Sequence, residues 1–255
     1  SMEDHVRPLL KRRESSSQVL EKIRRAHGSG WITSVDLLVG LPLETPLGTL
    51  HGIDFLIDAG ADGFSIYEIN ISNQNMRFAK QYHLLDRDRR ENYFLFLAAV
   101  NHLNHAGFRK NLFNHFANER DQNLYFTYPL RSEDCFAIGA YADGVFKDYH
   151  YRHLNYRKTI DQTTPAHPAL QGGIKRPEQV QRILPIEINL LSGGFTGQQI
   201  YQVLTHQESD ALTQPWKAAL LVEETGPDYY SLTPNGAWFS GNMIADLENI
   251  THHHV

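Results

Sequence analysis

The sequence predicts an α/β chain that opens with a parallel βαβ unit and closes with a second, mainly helical domain. Three observations carry this expectation. Two apolar runs of the kind found in buried strands, Ser34–Val39 and Phe64–Ile71, lie about one helix apart. Helix start and stop signals stand between them. Further on, a stretch rich in Thr, Pro and Gly, Thr163–Gly173, precedes several helical segments and suggests domains at 1–165 and 166–255.

Residues 1–28 read as a basic lead-in and an amphipathic helix. Ser34–Val39 is nearly all apolar, as a strand buried on both faces would be, and Gly40 to Pro42 stops it. Thr45 then N-caps a helix, Pro46 takes its first turn and Gly60 sits just past its end. In that helix Leu47, Leu50, Ile53, Phe55, Leu56 and Ile57 form a stripe suited to packing on a sheet. Phe64–Ile71 completes the unit, with a right-handed crossover. Residues 72–85 form a polar loop, and Asp86–Ala106 reads as a long helix whose early acids Asp86, Asp88 and Glu91 suit its positive end. Phe108–Phe113 reads as a further strand, Ala117–Arg152 as loop-rich and aromatic, and Leu154–Ile160 as helical. Helices are then expected at Pro177–Leu190, Thr196–Thr205 and Pro215–Glu224, a hairpin at Gly226–Leu232, and a last helix from Thr233-Pro234 to about Glu248.

The 255 residues can bury a sizeable core. A net charge of −5 lacks the basic excess of a nucleic-acid binder, and the segment after Glu223-Glu224 is equally poor in cations. Cys135 is the single cysteine, which excludes a disulfide framework. With neither a signal peptide nor a long apolar span, the expectation is a cytoplasmic protein without membrane contact. The histidines of the tail Thr251–Val255 suggest adventitious metal capture rather than a built site.

Five phrases follow one another in an order that resembles a known family. They are Leu10-Lys-Arg-Arg-Glu-Ser15 with its following helix, Asp36-Leu-Leu-Val-Gly-Leu-Pro42, the helix ending at Gly107-Phe108, Asn114-His-Phe-Ala117, and Glu133-Asp134 leading to Gly139 and Ala142-Asp-Gly144. The segment from Arg7 to Arg152 resembles the later barrel of the oxygen-independent coproporphyrinogen III oxidase family of radical S-adenosylmethionine (SAM) proteins, with its haem-chaperone and anaerobic haem-utilisation relatives. The resemblance implies the later part of a (β/α)6 partial barrel followed by a winged-helix-like C-terminal domain. It implies SAM as cofactor, a tetrapyrrole or haem-related substrate, and a [4Fe–4S] cluster held by a C-x3-C-x2-C loop. A chain with Cys135 alone cannot supply that loop. Two expectations follow: this is the later part of a longer oxidoreductase, or it is a shortened relative that binds haem or SAM, or docks on a partner, without radical chemistry. A half-barrel would expose a sheet edge, covered by a homodimer contact, by a partner supplying the missing half, or by the segment 1–28.

Asp36 stands out as an acid within an apolar strand, where a buried carboxylate needs a partner or a task. By resemblance it contacts SAM; otherwise it braces a loop. Glu68, Asn70, Asn73 and Gln74 cluster at the carboxyl end of the second strand, where α/β folds bind ligands. The resemblance places Asn70 at a SAM-contacting position, Arg12 at the SAM-contacting arginine, and Gly139 to Asp143 in a loop over the adenosyl group. Surface charge and tight turning are the plainer roles for Arg12 and for that loop. His102 and His105 share a helix face at metal-ligand spacing, but zinc normally wants a third ligand and a second shell that sequence does not display. The cluster Tyr149-His-Tyr-Arg-His153 suggests a haem surface, with His150 or His153 as axial ligand and Arg152 on a propionate, against the alternative of a packed aromatic loop.

Overall fold

The computed structural model describes residues 1–131, 133–155, 161–162, 164 and 169–252. The chain divides into two compact units, Ser1–Gln122 with Thr233–Phe239, and Asn123–Leu232 with Ser240–Val255.

The first unit begins with α1 (Ser16–Gly28), whose start is fixed by a capping box between Ser15 and Gln18. It continues through β1 (Ser34–Val39), α2 (Pro46–Asp58) and β2 (Gly63–Glu68). Thr45 accepts from the Gly48 backbone N–H at 2.9 Å, Pro46 opens α2, and Gly60 follows it at φ +96°, a conformation that suits glycine. β1 and β2 are parallel, with Asp36 opposite Ser65 and Leu37 opposite Ile66. β2 is shorter than its apolar run suggested, and Ile69 to Asn75 leaves the sheet. Next come α3 (Met76–Gln81) and α4 (Arg89–His105), the latter capped by Asp88, three residues later than the acids alone indicated. The strand expected after α4 is the first arm of a hairpin, β3 (Arg109–Leu112) and β4 (His115–Ala117), that adds antiparallel to β2. The resulting order is β1-β2-β4-β3, so β1 is an edge strand.

The two faces of this sheet differ. Val39, Phe64, Ile66 and Phe116 are fully buried with Ile53, Leu56, Phe96 and Leu103 of α2 and α4. Such burial of large apolar side chains contributes roughly 1.5–3 kcal/mol each. Asp36, Ser65 and His115 stand in register on the opposite face. The expectation that Asp36 is buried is therefore corrected. β1 is covered on one face, alternate residues point away from the helices, and Asp36 is exposed. α9 (Pro234–Trp238) belongs to this unit, where Trp238 meets Phe96 at 5.0 Å and Tyr93 donates to Asn235.

In the second unit, the stretch read as loop-rich contains α5 (Leu124–Leu130) and the hairpin β5 (Asp143–Phe146) and β6 (Tyr149–His153). β7 (Leu170–Lys175), within the stretch read as a boundary, pairs antiparallel with β6. Residues 156–160, to which most of the helix expected at Leu154–Ile160 belongs, lie outside the described residues. Around a second core of Ile186, Leu190, Phe195, Ile200, Trp216, Met243 and Leu247 come α6 (Glu178–Ser192), β8 (Gly194–Thr196), α7 (Gly197–Tyr201) and α8 (His206–Ala218). They are followed by β9 (Val222–Gly226), β10 (Tyr229–Leu232) and α10 (Ser240–His252). The helix expected at Pro215–Glu224 is corrected. α8 starts earlier, at a capping box of Thr205 and Glu208, and Val222–Gly226 is a strand of the sheet β8-β10-β9. The last helix is interrupted at Phe239.

Candidate functional site

A cavity of about 410 Å³ lies at the carboxyl ends of β1 and β2, lined by Gly40, Glu68, Asn70, Arg87, Arg89, Asn92 and neighbouring apolar residues. Its position follows from the fold. Parallel strands stop together, and the chain must leave each by a loop, so the loops enclose a crevice beyond the strand ends. Gly40 makes the crevice possible, because it sits at φ +78° and any Cβ there would collide with the Asn92 side chain.

The polar lining is ordered by interlocking bonds. Arg87 donates to the Gly40 carbonyl at 2.8 Å and lies 3.5 Å from Glu91. Glu68 accepts from Arg89 at 3.0 Å and from Asn92 Nδ2 at 2.9 Å. The Glu68 hydrogen bond raises the pKa of Arg89 above its ordinary value and so favours the charged guanidinium. The wall thus offers two guanidinium groups, two amides and one carboxylate, a set able to bind a zwitterionic or polar ligand through charge-assisted bonds. Sequence reasoning found Glu68 and Asn70 and missed Arg87, Arg89 and Asn92. Their signal was the charge-dense start of α4, Asp86-Arg-Asp-Arg-Arg-Glu-Asn92, which was read for its helix cap alone.

The other expected residues distribute as follows. Arg12 is exposed just after a short 3₁₀ turn, Arg7–Leu10. Asn70 lines the cavity, and its carbonyl accepts from Asn75 at 2.7 Å. Gly139 and Asp143 belong to the second unit, together with the proposed haem cluster. The Gly139 carbonyl accepts from His153 Nδ1 at 2.8 Å, and Asp143 takes Arg152 in a two-pronged pair at 2.6 and 3.0 Å. His150 Nε2 accepts from Arg176, and burial together with that cation lowers the His150 pKa. Strand alternation sends His150 and Arg152 to the side of the sheet opposite Tyr149 and Tyr151. His102 pairs with Asp54 at 2.5 Å, and His105 donates to the Asn101 carbonyl of its own helix.

No family model and no curated protein matches the chain. Among solved structures it is similar to coproporphyrinogen III oxidase from Escherichia coli, described there as a radical SAM enzyme, with a TM-score of 0.72 at 16% identity. The match covers 95% of this chain and 61% of that enzyme. The chain has the mixed α/β fold of that enzyme. It spans about three-fifths of the enzyme's length, and at this identity the likeness is one of fold.

The [4Fe–4S] cluster that the resemblance implies does not fit the residues present. Cys135 is the only cysteine in the sequence. Among the described residues, no three His, Cys, Asp or Glu side chains converge so as to hold a metal. SAM fits better, because the cavity offers cationic and amide groups and the adjoining sheet face offers the Asp36 carboxylate. Among the described residues, no helix is long and apolar enough to cross a membrane.

Proposed function

We propose that the first unit is the later part of a radical-SAM-type (β/α)6 barrel that holds SAM at the carboxyl ends of β1 and β2, and that the second unit ends in a winged-helix-like domain. The observation that carries this reading is the cavity beyond those strand ends, in a chain whose fold is that of a radical SAM enzyme. In it Asn70, Arg87 and Arg89 would take the amino-acid end of SAM, and Asp36 a donor on the nucleoside. Arg12 completes the proposed set within this unit. A cluster supplied from elsewhere would furnish the reductive chemistry on SAM; the residues of this chain would bind and orient it. The tetrapyrrole-related reaction proposed for the complete assembly needs a cluster from elsewhere, either from a longer chain or from a partner docked on the open edge of β1. Anaerobic reconstitution of the present chain with iron and sulfide is expected to give no cluster absorbance and no 5′-deoxyadenosine. Stoichiometric cluster formation with SAM cleavage would refute the assignment.

A second reading, non-catalytic haem binding by the second unit, is favoured by the exposed aromatics Phe136, Phe146 and Tyr149 around the β5–β6 hairpin. The two histidine contacts described above oppose axial ligation, so planar stacking is the form it would take. Haem titration is then expected to give saturable binding that survives replacement of His150 and His153 by Ala. A Soret shift abolished in that double variant would restore histidine ligation.

A further inference from the structure

A second cavity, of about 540 Å³, lies at the amino ends of β1 and β2, the end of the sheet opposite the first cavity. Its polar lining is Arg24, His27, Asp58, Asp62, Asn118 and Arg120, drawn from the last turns of α1 and α2, the residue before β2 and the loop after β4. Asp62 is 1% exposed, and three donors meet its carboxylate: the Thr33 backbone N–H at 3.0 Å, Asn118 Nδ2 at 3.1 Å and Arg120 Nη1 at 3.1 Å. A buried carboxylate needs such partners, and this one anchors the Arg120 guanidinium in return.

Two neighbours fix His27. Arg120 Nη1 lies 3.2 Å from His27 Nδ1. A guanidinium only donates, so Nδ1 accepts, the ring is neutral and its proton is on Nε2. Gly60 leaves the space for this ring, because a Cβ there would stand 2.5 Å from His27 Cγ. Arg24 lies one turn earlier on α1, at the i, i+3 spacing that brings two side chains to one helix face. Among the described residues, Arg24, Asp58 and His27 Nε2 have no hydrogen bond or ion pair. Arg120 commits both N–H groups of Nη1 and one of Nη2, the last to the Gly30 carbonyl at 3.4 Å, which leaves it two. The ends of α1 and α2 would favour a cation, but the Ala26 and Leu56 carbonyls already accept from the Trp31 and Ala61 backbone N–H groups at 3.0 Å. The uncommitted groups are therefore mostly donors: two guanidiniums and an imidazole N–H face one carboxylate, Asp58.

We propose that this second cavity binds a phosphate group, held by Arg24, by the Nε2–H of His27 and by the two remaining N–H groups of Arg120. A phosphate offers several acceptor oxygens and the negative charge that makes bonds from guanidinium groups strong. Asp62 and Asn118 are positioning residues: they act through Arg120. Asp58 opposes the ligand and limits its affinity. The site lies at the other end of the sheet from the cavity assigned to SAM and does not rest on that assignment.

Calorimetric titration of the chain with inorganic phosphate and with phenyl phosphate tests this. Saturable one-to-one binding is expected, and the tighter of the two probes tells whether free phosphate or a phosphate ester is the ligand. Arg24→Gln should weaken binding about 10-fold, the worth of one hydrogen bond between charged groups. His27→Leu should weaken it as well, and His27→Gln, which keeps an N–H donor, should retain most of it. Asp58→Asn should strengthen binding several-fold, a gain that damage to the fold does not produce. Absence of saturable binding for both probes overturns the inference, as does an affinity left unchanged by both Arg24→Gln and Asp58→Asn.

Discussion

Lys110 shows at the scale of one residue how a buried charge couples pH to stability. Its Nζ is buried and has no hydrogen-bond partner, and loss of solvent brings its pKa from 10.5 to about 7. Between those two values the unfolded chain binds a proton that the folded chain does not, so stability increases with pH across this window. Below about pH 7 the ammonium is buried charged, and the penalty is complete. The urea midpoint is therefore expected to rise between pH 7 and pH 10, and Lys110→Met should raise it at pH 7 and remove the slope. A midpoint that stays flat with pH in the wild type would contradict this. Residue identity alone did not disclose the effect. Lys110 lies on β3 of a hairpin that pairs with β2, and burial alone is the cause of its shift. The Asp62–Arg120 pair was likewise unreadable, since its members lie fifty-eight residues apart in sequence.

At the scale of elements, what was legible was local. β1, α2 and β2 were readable because Thr45, Pro46 and Gly60 act on their immediate neighbours, and each does in the structure what its chemistry dictates. Thr45→Ala should cost about 1 kcal/mol of stability through loss of the N-cap bond to Gly48, measured by chemical denaturation. A change below a few tenths would mean that water replaces the cap at no cost. α8 was misplaced although its signal was present. Thr205-His-Gln-Glu208 is a capping box, and Pro215, taken as a helix start, lies inside the helix three residues before its end. The burial of β1 was misjudged because apolar composition does not say whether a second layer is there to cover the sheet. Only the helix face of this strand is covered, which leaves Asp36 to solvent.

For the whole molecule, the order of motifs along the sequence proved informative where their detail did not. Five weak phrases pointed to a fold that the comparison with the E. coli enzyme supports at 16% identity. The cavity required more than those phrases, since its wall is completed by Arg87, Arg89 and Asn92 from the start of α4, brought over the end of β2 by the intervening loop and α3. The proposed function requires that this cavity and the adjoining strand ends hold the ligand. Hydrogen–deuterium exchange of the chain with and without saturating SAM addresses this directly. Slowed exchange is predicted in peptides covering 36–42 and 68–92. SAM that leaves both segments unchanged would contradict the central claim.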